Sequence, residues 1–169
     1  NFNPGLVALS LHFHSQLAAV SQAVNAIKSA APKTPIVLGG FTASFFYREI
    51  MRKWQKVDFV VRGDGEAPLY QLVHALEHKE DLCSVPNFSF RRNGDICHTD
   101  FSYRANQTVL DKLRFTNLSL LRHYDAYGGA FVFSEEDGFY QYLKNQYFYL
   151  CGGRGCSVNC AYCAGSADS

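Results

Sequence analysis

Two periodicities take turns along the first part of the chain. Residues 6–11, LVALSL, are a continuous apolar run of strand type, and Leu17, Val20, Val24 and Ile27 then recur at intervals of three, four and three, one face of an amphipathic helix. Pro32 and Pro35 bracket the exit from that helix. Residues 36–38, IVL, read as a second strand ending at Gly39-Gly40, and Phe45, Phe46, Ile50 and Trp54 return to a helical face. Residues 57–61, VDFVV, give a third strand closed by Gly63-Asp64-Gly65-Glu66, and Leu69, Leu72, Val73 and Leu76 mark a third helix.

Strands alternating with helices of this length predict right-handed crossovers and an α/β fold, with a parallel sheet covered on both faces. In such sheets ligands sit beyond the C-terminal strand ends, where this chain has its glycines. Glycine lets backbone approach a flat or phosphorylated ligand, and a helix N-terminus beside it is expected to offer free N–H groups. From about residue 80 the pattern changes. PNFSFRRNGDICHTD reads as a hairpin, with Phe88 and Phe90 alternating with polar residues around an Asn93-Gly94 turn. The following stretch to Tyr149 is rich in Phe and Tyr with weak periodicity, as expected of a linker packed onto another domain.

With 169 residues, 47% of them hydrophobic, the chain can bury a real core. Sixteen basic and fifteen acidic residues leave a net charge of +1, and no basic run breaks that balance. Neither nucleic acid nor an anionic membrane surface is an expected partner. No apolar run has the length of a spanning helix and no secretory signal is visible, which points to the cytoplasm. The chain opens on Asn1, its one methionine is Met51, and a strand follows almost at once, the pattern expected of a piece of a longer protein.

Four of six cysteines, Cys151, Cys156, Cys160 and Cys163, crowd together near the end, while Cys83 and Cys97 are scattered and read as small packing residues. A disulfide framework would spread its cysteines, so the cluster favours a metal or iron–sulfur site in a reducing compartment. Cys156, Cys160 and Cys163 stand in a C-x3-C-x2-C spacing within RGCSVNCAYC. Three thiolates on one loop can hold three irons of a [4Fe–4S] cluster and leave the fourth open. Zinc is the alternative, with Cys151 as fourth ligand, and a four-thiolate electron-transfer cluster is another.

This loop resembles that of the radical SAM superfamily, in which the open iron chelates S-adenosylmethionine; the aromatic before the third cysteine, here Tyr162, lies near the adenine in that family. The upstream part is similar to the cobalamin (B12)-binding domain that precedes many radical SAM barrels, whose motif runs Asp-x-His-x-x-Gly, then Ser-x-Leu, then Gly-Gly. Ser10 ends the first strand, His12 stands where Leu is usual, and 26 residues separate His12 from Gly39-Gly40. VDFVVRGDGE resembles the strand and Gly-Glu-Gly-Glu turn of these proteins, and LSLLRHYDAYGG their linker. No Asp-x-His-x-x-Gly occurs in these residues. His12 and His14 sit at a strand end facing the presumed site, open to readings as substitute cobalt ligands or as hydrogen-bonding and packing residues.

The resemblance implies a Rossmann-like, flavodoxin-like domain over 1–82, a hairpin and linker over 83–146, and the first strand and cysteine loop of a radical SAM domain over 147–169. It implies cofactor contacts at Ser10, His12, Gly39, Gly40, Thr42, Gly63, Gly65, Glu66 and Tyr162, and cluster ligation by Cys156, Cys160 and Cys163. Cobalamin, a [4Fe–4S] cluster and S-adenosylmethionine are the implied cofactors, with a flavodoxin or ferredoxin as reductant. The implied activity is radical methyl transfer or a related reaction on a small-molecule or peptide substrate. A corrinoid-binding or sensing module with a structural metal site is the competing reading, and a domain that kept the fold and lost cobalamin is a third.

Overall fold

A computed structural model describes residues 3–113 of the chain. The chain divides into Asn1–Gln107 and Thr108–Ser169. The expected cysteine loop, Tyr162, the strand at 147–150 and most of the linker lie outside the described residues.

Five strands form one sheet in the order β1-β2-β3-β4-β5. β1 (Val7–Ser10), β2 (Ile36–Gly39) and β3 (Phe59–Val61) run parallel, with Val7 opposite Ile36 and Val37 opposite Phe59. The hairpin of β4 (Phe88–Arg92) and β5 (Asp95–His98) then continues the same sheet antiparallel, Phe59 facing Phe90. Its turn has φ of +53° at Asn93 and +91° at Gly94, the left-handed pair that a two-residue hairpin needs.

Helices lie on both faces, as the alternation predicts. α1 (Leu17–Ala30), α2 (Phe41–Phe45) and α3 (Tyr47–Lys53) cover one, where Val20, Val24, Ala43, Ile50 and Met51 pack against Ile36, Leu38 and Val60. α4 (Glu66–His78) covers the other, setting Leu72 and Ala75 on Val37, Phe59, Val61, Phe88 and Phe90. The short helix α5 (Gln107–Leu110) ends the described chain. Just before β3, Asp58 Oδ2 accepts from the Ile36 N–H and from Lys28 Nζ, both at 2.8 Å, pinning α1 to the sheet.

Three expectations are corrected. Phe45 and Phe46 do not join Ile50 on a core face but are 53% and 51% exposed, because the helix breaks at Phe46 (φ −104°, ψ 25°) and α3 restarts with a new phase. Val73 on α4 is also exposed, and Pro68 and Ala75 take the buried positions beside Leu72. Cys83 is exposed, whereas Cys97 packs against the α4-side core. No helix among the described residues is long and apolar enough to cross a membrane.

Candidate cofactor site

At the C-terminal ends of the parallel strands, three loops are stitched together. Leu11 N–H donates to the Gly39 carbonyl at 2.8 Å and Ala43 N–H to the Leu11 carbonyl at 3.2 Å. The Ser44 hydroxyl donates to the Gly40 carbonyl at 2.8 Å and accepts from the Gly63 N–H at 2.8 Å, joining the two glycine turns. Thr42 is buried, its hydroxyl donating to the His12 carbonyl at 3.0 Å. The Phe41 N–H donates to His12 Nδ1 at 3.2 Å. The expected free N–H at the start of α2 is therefore taken by a side chain of the chain itself.

Beside these loops α4 leaves part of its face of the sheet bare, and Ala8 and Ser10 on β1 are exposed. The result is a slot of about 310 Å3, within the range of small-molecule pockets. Ala8, Ser10 and Val37 line it from the strands, Leu69 from α4, and Gly39, Gly40, Gly63 and Gly65 from the turns. No hydrogen bond among the described residues engages the Ser10 hydroxyl.

The four glycines fall into two kinds. Gly40 has φ of +98°, and a Cβ there would stand 2.9 Å from His12 Nδ1 and 3.0 Å from the Leu11 carbonyl oxygen. Gly63 has φ of +65°, and its Cβ would meet the Phe101 ring at 2.8 Å. Both are demanded by the protein's own folding. Gly39 and Gly65 are not: the nearest atom to an added Cβ is the Val61 carbonyl oxygen at 4.0 Å for Gly39 and a Val61 methyl at 3.8 Å for Gly65. Their missing side chains keep open a space that the rest of the chain does not fill.

A strap after β5 folds back over the third turn. Asn87 Nδ2 donates to the Tyr103 carbonyl at 2.7 Å and Asn87 Oδ1 accepts from the Tyr103 N–H at 3.0 Å, while Asp64 Oδ2 accepts from the Ala105 N–H at 2.8 Å. Buried Arg62 donates to the Thr99 carbonyl and lies between the rings of Tyr47 and Phe101. His98 stands edge-on to Tyr47 at 4.9 Å with Nδ1 3.0 Å from Ser89 Oγ. Partial burial, with Arg62 and Arg48 nearby, pushes its pKa below the ordinary histidine value.

The B12 binding domain family matches residues 1–73. Over those residues the chain is similar to B12-binding domains. The anaerobic magnesium-protoporphyrin IX monomethyl ester cyclase of Synechocystis sp. is 30% identical over 81% of the chain, and an uncharacterized methyltransferase of Pyrococcus horikoshii 26% identical over 98%. The chain spans 24% and 32% of the lengths of these two relatives. Among solved structures, the radical S-adenosylmethionine methyltransferase TsrM of Kitasatospora setae, with cobalamin and a [4Fe–4S] cluster bound, superposes with a TM-score of 0.52 at 16% identity, over 64% of this chain and 20% of TsrM. The cobalamin-dependent S-adenosylmethionine radical enzyme OxsB matches at 0.52 and 20% identity, over 60% of this chain and 14% of its own. The likeness to B12-domain radical SAM proteins that the motifs suggested is thereby borne out, and so is the Rossmann-like fold.

Among the residues singled out in the sequence, Ser10, Gly39, Gly40, Gly63 and Gly65 converge on the slot. Thr42 and His12 are held in the loops at its rim, and Glu66 opens α4 next to Gly65. His14 opens a single turn of 3-10 helix and is exposed. Ala8, Val37 and Leu69 also line the slot and went unread in the sequence, although the alternation that places Ser10 on this face places Ala8 there too. Among the described residues no group of three His, Cys, Asp or Glu side chains could hold a metal ion.

Proposed function

We propose that this domain binds cobalamin, with the slot receiving the flat heterocycle of the nucleotide arm. The observation that carries the reading is the pair Gly39 and Gly65, which hold open an apolar cavity at the strand ends where the fold itself needs no glycine. In this reading a bicyclic base would lie between Val37 and Leu69, and the Ser10 hydroxyl would hydrogen-bond it. Residues 11–14 and 40–42, at the rim, would meet the larger macrocycle. Bound cobalamin supplies a cobalt centre able to carry a methyl group or an electron; this chain supplies the binding, orientation and shelter from water.

For the intact protein we propose a radical SAM enzyme. Cys156, Cys160 and Cys163 would hold a [4Fe–4S] cluster with one open iron for S-adenosylmethionine, reduced by a flavodoxin or ferredoxin and acting on a small molecule or peptide by methyl transfer or a related radical reaction. The matching relative and solved structures support this reading, as does the cysteine spacing. The test is anaerobic reconstitution of the full-length protein with iron, sulfide and hydroxocobalamin. We expect stoichiometric cobalamin uptake and a [4Fe–4S]⁺ EPR signal that shifts when S-adenosylmethionine is added. Zinc uptake, or a cluster indifferent to S-adenosylmethionine, would sink the radical SAM reading; absence of corrinoid uptake would sink the other.

A further inference from the structure

We propose that His12 is a fixed hydrogen-bond donor at the rim, presenting Nε2–H to an oxygen acceptor of the bound cobalamin, and not a ligand to its cobalt. The inference rests on the cobalamin reading above. Its ground is the polarity of one contact. A backbone N–H can only donate, so the Phe41 N–H at 3.2 Å requires a bare Nδ1 on His12. In a neutral imidazole the proton then sits on Nε2. Metal-bound histidines show the reverse arrangement, a bare ligating nitrogen with the other N–H given to a carbonyl or carboxylate. Here the second nitrogen faces a donor, which works against the tautomer that cobalt would need.

The ring is also held in place from several sides. The His12 N–H donates to Gln16 Oε1 at 2.8 Å, its carbonyl accepts from Thr42, and Phe13 and Phe41 stand edge-on at 5.7 and 6.5 Å. A Cβ on Gly40, which lines the slot, would stand 2.9 Å from Nδ1, so the ring packs directly against the glycine turn. No hydrogen bond among the described residues uses Nε2, although the residue is exposed. An oriented polar N–H beside the mouth of an apolar slot is a group that fixes the orientation of a ligand.

The test uses the 169-residue chain in two arms. In the free chain, long-range 1H–15N correlation spectra should show His12, identified by its absence in His12→Gln, with a proton on Nε2; a proton on Nδ1 overturns the proposal. In the second arm, fluorescence titration with hydroxocobalamin should show His12→Ala about five- to tenfold weaker than wild type, the size of one hydrogen bond. His12→Gln, whose amide N–H can replace Nε2–H, should stay within about twofold. Unchanged affinity in His12→Ala overturns the contact, and equal loss in both variants overturns the donor role. EPR of the cob(II)alamin form must be the same in wild type and His12→Ala; a nitrogen splitting lost with His12 means ligation and overturns the proposal. A free chain with the expected tautomer that takes up no hydroxocobalamin sinks the cobalamin reading and the proposed contact with it.

Discussion

At the residue scale, the two kinds of glycine separate stability from binding. Gly39→Ala adds a methyl whose nearest protein atom, the Val61 carbonyl oxygen at 4.0 Å, makes only an ordinary contact. Its unfolding free energy should stay within about 0.5 kcal/mol of wild type, while hydroxocobalamin affinity falls by an order of magnitude or more. Gly63→Ala should do the opposite to the fold, costing about 2 kcal/mol in urea denaturation, from its left-handed φ and the collision with Phe101. His98 predicts a pH dependence. Its folded pKa lies below the unfolded value of about 6.5. The unfolded chain therefore binds the proton first, and stability present above that value is lost as pH falls toward the folded pKa. Because the ring is largely exposed the slope is shallow, and in His98→Gln this part of the slope between pH 7 and 5.5 should vanish from the urea midpoints.

At the element scale, what was legible had local causes. β2 and β3 show as unbroken apolar runs because both faces of each are covered, and the hairpin shows because Asn93-Gly94 supplies the two left-handed residues its turn needs. Gly94→Ala isolates that device, since a Cβ there meets nothing within 4 Å. It should cost about 1–2 kcal/mol of stability, from backbone strain alone, with cobalamin affinity unchanged. The break at Phe46 was not legible. Apolar spacing was continued through a position where the helix stops, and the phase after the stop puts Ile50 and Met51 inward and leaves Phe45 and Phe46 outside. The strap over residues 99–105 was equally hidden, because Asn87, Arg62 and Asp64 hold it through backbone groups that no side-chain pattern announces.

At the scale of the whole molecule, half of the slot could be read in advance and half could not. Ser10 and the glycines advertise themselves at strand ends. Ala8, Val37 and Leu69 belong to it only because α4 stops short of β1, a matter of packing that composition does not encode. The cysteine cluster makes its own prediction for the intact protein. Replacing Cys156, Cys160 or Cys163 by Ala should abolish the [4Fe–4S]⁺ signal and lower bound iron severalfold, whereas Cys151→Ala should retain both; a loss common to all four would point to a four-thiolate site instead. The sorted glycines also reach into evolutionary time. A descendant that abandoned the cofactor would remain under selection to fold, so Gly40 and Gly63 would persist in it. Gly39 and Gly65 would drift to alanine or larger residues, and those two columns of an alignment would record where in the lineage the vitamin was given up.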